Sequence, residues 1–542
     1  MMAEAALASF HISDDMVQGQ EVNTSAEQAS LERIVDLLGN LRTKGVSLWS
    51  ENGQLRFRAP KGALTQEEIE GLRAHKGPIV SILQTATSTR ATEPTLEPGP
   101  RRNPVPLSFS QIAHWNQYQL DKRPSSVILL SATRLRGRLN LKAFRKSVAD
   151  VVSRHDALRT RIIVRDGIPE QQIESSVEYE LEVEDLADIP VTLREARVER
   201  LLQTQLTAAI NVASEALFRV RLLRLGEDEH VLLVLMEHLI SDGFSMAIFF
   251  RELWTAYTLA VKGQPFSPPA ILMQFADYAI WQRNQHASWI AKNGAYWKER
   301  LKGCQRVRFP TGQLPTQTKS GLGNVLFQID RDLKAELLEW CQQRKTTTVI
   351  GVFTAYVALV LRWCNVLEAV FPFEIDGRIS PKIEGAIGYF AFPLYLRLGI
   401  AEEDRLLDLL RRVTDEYCSA YEHADFSYME SQVPRPEFTR NCLFNWSRQA
   451  GRIGPSELDE SQGAIECSQI VFDERVITYI ERDSEPHIAF RETDEQIFGG
   501  VQFSLDRLSF DAAESFARNL IGFVRVLLSR PETRVRDIPI LK

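Results

Sequence analysis

The stretch MEHLISDG, residues 236–243, sets an imidazole four residues ahead of a carboxylate that is followed by glycine. His238 suits the work of a base or proton shuttle, because an unperturbed imidazole titrates near ~6.5. Asp242 suits a different role, since a buried carboxylate gripped by an arginine fork fixes the shape of a turn. Gly243 lets the chain turn tightly and leaves no Cβ in the way of a substrate. Arg159, in RHDALRT, is the first expected partner of Asp242, and Arg378, in DGR, the second, since a guanidinium holds a carboxylate by two bonds. HxxxDG alone also describes a satisfied core histidine at the end of a strand, so the surrounding elements decide between the two.

Those elements are legible. HVLLVLMEH, 230–238, is a nearly unbroken apolar run, as a central strand buried on both faces should be. FSMAIFFRELWTAYTLAVKG, 244–263, carries the pattern of an amphipathic helix that stops at Gly263. Glu237 to Gly243 therefore occupy a strand-to-helix turn, a common place for reacting groups on a rigid scaffold. Trp115, Tyr278, Trp281 and His155 are expected to pack the fold rather than touch a substrate.

The whole chain has 542 residues, enough for several folding units of ~100–200 residues each. Its formal charge of -7 argues against a nucleic-acid binder, which needs a basic footprint. No apolar run approaches the ~18 residues of a membrane span, and the N-terminus has no secretion-signal pattern. The six cysteines are scattered without metal-finger spacing, so they are expected to be small packing residues in a reducing compartment. These features predict a cytoplasmic protein without a metal site, a membrane contact or a nucleic-acid partner.

Residues 1–29 are polar and predict a disordered tail. Residues 30–84 form a small α-β-β-α pattern. A helix carries Leu31, Ile34, Val35, Leu38 and Leu41 on one face, and VSLWSENGQLRFRA alternates around an Asn52-Gly53 turn. Thr65 with Glu68 then makes a capping box for a helix reaching about Gln84. Residues 85–104 are a linker rich in Thr, Pro and charge. The rest alternates strand and helix patterns, an α/β (α+β) body.

LSFSQIAHW (107–115), SRHDALRT (153–160), MEHLISDGFS (236–245), QFADYAIWQ (274–282), YWKERL (296–301), AIGYFAFPLYLR (386–397) and TRNCLFN (439–445) follow one another in that order. Together they resemble the core motifs of the condensation domains of nonribosomal peptide synthetases. The resemblance runs from about 105 to the C-terminal PETRVRDIPIL. It implies two chloramphenicol-acetyltransferase-like lobes in a V-shaped pseudo-dimer, an N-lobe over 105–275 and a C-lobe over 276–542, with a tunnel between them. It also implies that a nucleophile attacks an acyl thioester carried on the phosphopantetheine arm of a carrier protein, with no bound cofactor or metal. His238 would be the catalytic base, Asp242 and Gly243 would complete its motif, and Glu237, Arg159 and Arg378 would support the site. KGVSLWSENGQLRFRAPKGALT resembles the tubulysin-type β-hairpin docking domain of assembly-line enzymes. That implies capture of a carrier's short acidic C-terminal tail by strand addition, with Trp49, Arg56, Arg58 and Lys61 beside the edge.

Two departures bear on the chemistry. The family usually reads HHxxxDG, whereas here the first histidine is Glu237, whose charge at close range would raise the pKa of His238 and weaken it as a base. Glu237, Asp242 and Ser245 also give ExxxxDxxS, close to the DxxxxDxxS of heterocyclising relatives. Phe392 and Pro393 stand where an Asn-Thr or Asn-Pro pair is common. The expectation is a free-standing condensation enzyme that meets carriers in trans. It delivers an acyl, peptidyl or polyketide chain to an amine or hydroxyl, on a small molecule or a carrier, as a release step. The alternatives are a heterocyclising variant, a coenzyme A-dependent acyltransferase of the same fold, and a non-catalytic carrier-binding module.

Overall fold

The computed structural model describes residues 47–51, 54–58, 66–77, 79, 96–120, 128–175, 179–207, 210–310, 321–424, 436–448, 455, 464–470 and 484–541. The chain divides into a unit over Met1–Thr95 and a second over Leu96–Lys542. The expected tail over 1–29, the helix at Leu31–Leu41 and most of the linker over 85–104 lie outside the described residues.

In the first unit, strands Ser47–Glu51 and Gln54–Arg58 pair antiparallel with Glu51 opposite Gln54. That register leaves two residues for the connection, as the Asn-Gly pair requires. Trp49 stands opposite Arg56 and Ser47 opposite Arg58 in that register. A helix follows over Gln66–Ala74.

The second unit is mixed α/β, with two main sheets, each carrying its own apolar core. The five-stranded sheet runs Glu466–Gln469, Ile128–Arg136, Glu229–Glu237, Phe218–Arg224, Glu182–Asp185. Its central strand is Glu229–Glu237, antiparallel to both neighbours. The unbroken apolar run thus reflects burial on both faces rather than parallel pairing. Helices Leu141–Arg154 and Gly243–Val261 pack against each other over this core, the first capped by the Asn140 side chain at 3.0 Å from Ala143 N.

The six-stranded sheet runs Leu322–Ile329, Ile497–Ser504, His487–Glu492, Phe444–Arg448, Glu368–Ile375, Phe392–Gly399. Helix Thr348–Trp363 is buried on almost every side between this sheet and helices Leu406–Glu422 and Phe510–Ser529. Among the described residues no single helix is long and apolar enough to cross a membrane. Trp115 packs in the first core, and Tyr278 and Trp281 pack in the second. His155 is buried with Nε2 2.8 Å from Glu252 Oε2, a fold-holding contact.

The two cores are stitched across the sequence. Strand Glu466–Gln469, far down the chain, adds an edge to the five-stranded sheet by pairing with Ile128–Arg136. Ile387 packs into that sheet's core, although Ala386 and Phe390 on either side of it belong to the other. The segment 386–391 that carries Ile387 is the one that reaches the HxxxDG turn.

Candidate functional site

The central strand ends at Glu237, whose N–H donates to Leu217 O at 2.8 Å. One short helical turn, His238–Ile240, follows, and helix Gly243–Val261 starts immediately after it. The turn is held from outside by Gln111, whose Nε2 donates to Leu239 O at 2.7 Å. Ser241 Oγ closes it from inside on Glu237 O at 2.9 Å.

Asp242 caps the helix and also ties the two cores together. Its Oδ1 accepts from Ser245 N and Ser245 Oγ, both at 2.8 Å. Arg378 Nη1 donates to Oδ2 at 2.8 Å and Nη2 to Oδ1 at 3.1 Å. Oδ2 further accepts from Phe390 N at 3.1 Å and Ala391 N at 3.3 Å. Burial alone would push this carboxyl up, yet the Arg378 charge and hydrogen bonds with those from Ser245 outweigh it and hold it below its usual range. With its lone pairs occupied and 2% of its surface exposed, Asp242 is no proton acceptor; it is a clamp. The guanidinium lies between the rings of Phe244 and Phe390, at 4.8 and 4.6 Å from their centroids. Arg378 follows Gly377, whose φ of 61° and close approach to the Phe390 carbonyl exclude any Cβ.

Arg159, the first expected partner, does not reach Asp242. Its guanidinium is taken by Asp156 Oδ1 at 2.6 Å, by Val152 O at 3.2 Å and by Glu174 O. A carboxylate three residues away on a short helical turn outcompetes one that must be met through space. Arg378 therefore supplies the support, and Arg159 supports only its own loop.

His238 is half-buried. Its Nδ1 is sealed without a hydrogen-bond partner, so Nε2 is the nitrogen that can meet a reactant. Burial pushes its pKa down and His114 pushes the same way, against the pull of Glu237 and Asp242. The net direction is down, so the ring is a free base at neutral pH. The expected effect of Glu237 is thus present but outweighed. Glu237 is fully buried, with Oε2 accepting from Leu239 N and Oε1 3.4 Å from His114 Nε2. Gly243 is exposed, and the place its Cβ would take is open. Its φ is not in the left-handed region, so the vacant space rather than the tight turn is what glycine provides here.

Two neighbours of His238 escaped the motif reading. Tyr389 stands edge-on to its ring, centroids 4.5 Å apart at 65°, and the His114 ring lies 6.0 Å away. Both fall inside motifs named above, but only the folded chain brings them to residue 238. Ser245 is engaged with the opposite core, donating to or accepting from Gly388 at 2.9 and 3.0 Å. Trp49, Arg56 and Arg58 lie on the described hairpin strands; Lys61 lies outside the described residues. Among the described residues no cluster of His, Cys, Asp and Glu is arranged to hold a metal ion.

Comparison with known proteins agrees with this geometry. The condensation-domain family model matches residues 101–447, and the TubC N-terminal docking domain model matches 34–85. One of the linear gramicidin synthase subunits of Brevibacillus parabrevis is 28% identical over 463 residues, 84% of this chain and 9% of that protein. This chain thus spans less than a tenth of that relative's length. The X-domain in its complex with OxyB from teicoplanin biosynthesis aligns with a TM-score of 0.68 at 23% identity, covering 83% of this chain and 98% of that one. The EpoB cyclization-docking bidomain from Sorangium cellulosum aligns with a TM-score of 0.66 at 20% identity, covering 93% and 100%. At those identities the solved structures speak for the fold. The family match spans well over half of the sequence and contains the His238 turn, its Asp242–Arg378 clamp and the 386–391 segment, and the chain therefore belongs to the condensation-domain family, with a TubC-type docking domain ahead of its body.

Proposed function

We propose that this chain is an acyltransferase of a nonribosomal peptide or polyketide assembly line. It takes an acyl, peptidyl or polyketide chain from the phosphopantetheine thioester of a carrier protein. It delivers that chain in trans to an amine or hydroxyl, as a release step that forms an amide or an ester. The observation that carries this reading is the His238 ring, half-buried and mounted on a turn clamped between two cores.

In the reaction, the acceptor's lone pair attacks the thioester carbonyl while His238 Nε2 takes the acceptor's proton. The carbonyl oxygen becomes an oxyanion, which backbone N–H groups at Gly243 stabilise at the exposed first turn of the helix. Collapse of the tetrahedral intermediate breaks the carbon–sulfur bond. The thiolate leaves and recovers the proton from His238, so carrier thiol and acyl product are released and the base is restored. Asp242 and Arg378 touch none of the reacting atoms; they fix the turn and the segment carrying Tyr389.

The same geometry weighs against heterocyclisation through Glu237, Asp242 and Ser245. Glu237 is buried under the turn, Asp242 is saturated and Ser245 is bound to Gly388. A docking hairpin favours carrier-bound donors over free coenzyme A. The hairpin whose strands carry Trp49, Arg56 and Arg58 is proposed to receive a carrier's acidic tail as an added strand. A second reading, a module that gathers partners without turnover, draws support from the likeness to the X-domain solved with OxyB. His238→Ala separates the two. Loss of product from an acyl-loaded carrier, with carrier binding kept, supports catalysis; unchanged product formation supports the gathering role. Rapid turnover of acyl-coenzyme A without any carrier would favour the coenzyme A reading.

A further inference from the structure

Glu237 stands directly before the base and is fully buried. Its carboxylate is unevenly satisfied. Oε2 accepts the Leu239 N–H, while Oε1 is sealed without a hydrogen-bond partner. The nitrogen facing Oε1 is His114 Nε2 at 3.4 Å. His114 sits on helix Phe109–Leu120, one turn beyond the Gln111 that holds Leu239 O, so one helix face both secures the turn and delivers this second imidazole. The His114 and His238 rings are 6.0 Å apart, and Tyr389 meets both, at 6.1 and 4.5 Å. The other charges at the turn, Asp242 and Arg378, are already paired with each other. A buried carboxylate without a counter-charge draws a proton onto the nearest imidazole, and a protonated His238 takes nothing from an acceptor.

We propose that His114 is a positioning residue of this site: it balances the buried Glu237 carboxylate and so leaves His238 an uncharged base. The position that Glu237 occupies in place of a histidine is thereby compensated by an imidazole arriving from another helix. The inference rests on the reading of His238 as the base, and it makes Glu237 and His114 one functional pair.

The test compares wild type, His114→Gln, Glu237→Gln and the double variant, each checked for an unchanged unfolding transition. Turnover is followed with an acyl thioester mimic and an amine acceptor, and the His238 ring is titrated by NMR in histidine-labelled protein. In His114→Gln the lone carboxylate raises the His238 midpoint by about one pH unit, so the acid limb of kcat moves up by the same amount and kcat falls roughly tenfold when compared at a pH below the wild-type midpoint, with KM for the thioester unchanged. Adding Glu237→Gln removes that carboxylate, so the double variant titrates lower and turns over several-fold faster than His114→Gln alone. A merely structural His114 would give no such recovery. The proposal is overturned if His114→Gln leaves both the midpoint and kcat unmoved, or if the double variant is no better than the single. Should wild type turn over no thioester, the reading of His238 as the base fails. The ring titration would still decide the pairing, which stands or falls on whether the midpoint rises in His114→Gln and returns in the double variant.

Discussion

Arg378→Met is the perturbation that most directly probes the clamp. The native guanidinium makes two charged hydrogen bonds to Asp242, at 2.8 and 3.1 Å, with both side chains almost wholly buried. Methionine keeps much of the length and apolar contact with Phe244 and Phe390, so the change isolates the charge. It leaves Asp242 ionised in the interior with only neutral donors, and removing one partner of such a pair costs ~3–5 kcal/mol. Asp242→Ala also discards the helix cap, adding about 1 kcal/mol. The double variant leaves no buried charge behind and should lose less than the two singles together, with a coupling of ~2–3 kcal/mol. The assay is urea unfolding, read from the midpoint at unchanged slope. pH gives a second readout. Asp242 has a depressed native pKa, so the unfolded chain binds its proton first as pH falls, and stability rises with pH wherever that holds. The contribution is fully present above the unfolded carboxyl value of ~3.9 and is lost as pH falls from there through the native value. Arg378→Met should flatten that acid limb. A loss under about 1 kcal/mol with an unchanged acid limb would mean that the pair behaves as a surface contact, and would refute the reasoning.

Further outcomes follow from neighbouring residues. Gly377→Ala must place a Cβ against the Phe390 carbonyl at a φ of 61°, so it should destabilise by more than about 1 kcal/mol and lower kcat by displacing Arg378; unfolding and kinetics check both. Asp376 is held above its usual pKa, chiefly by burial, against the pull of Arg378. Its raised native value means stability is lost as pH rises through that window, so Asp376→Asn should gain stability relative to wild type near pH 7 and show little difference near pH 3. Arg56→Glu with Arg58→Glu should weaken carrier capture and salt-sensitive binding while sparing small thioester mimics; loss of both activities would point to a folding defect.

Much of this architecture is written locally. The run at 230–238 announces a strand covered on both faces, and the pattern at 244–263 its following helix. Asn52-Gly53 specifies a two-residue connection, and the Ser47–Glu51 and Gln54–Arg58 register leaves room for just that. What stayed hidden is set through space. Arg159 and Arg378 have equally unremarkable local settings, and only the neighbouring Asp156 explains why the nearer arginine was already engaged. The four residues Glu466–Gln469 are too short to show a period, yet they complete a sheet assembled from the other end of the chain. His114 looks like one polar residue on an amphipathic helix, and its relation to Glu237, 123 positions further on, exists only once the chain has folded back. Glycine at 243 is expected both for a tight turn and for the absence of a Cβ, and the structure uses only the second.

The decisive measurement is intact mass spectrometry of an acyl-loaded carrier protein mixed with candidate amine and hydroxyl acceptors, with wild type and with His238→Ala. The account predicts transfer by wild type, releasing free carrier thiol and one acylated acceptor, and a rate at least ~10²-fold lower in the variant that still binds the carrier. Equal rates in the two proteins would contradict it.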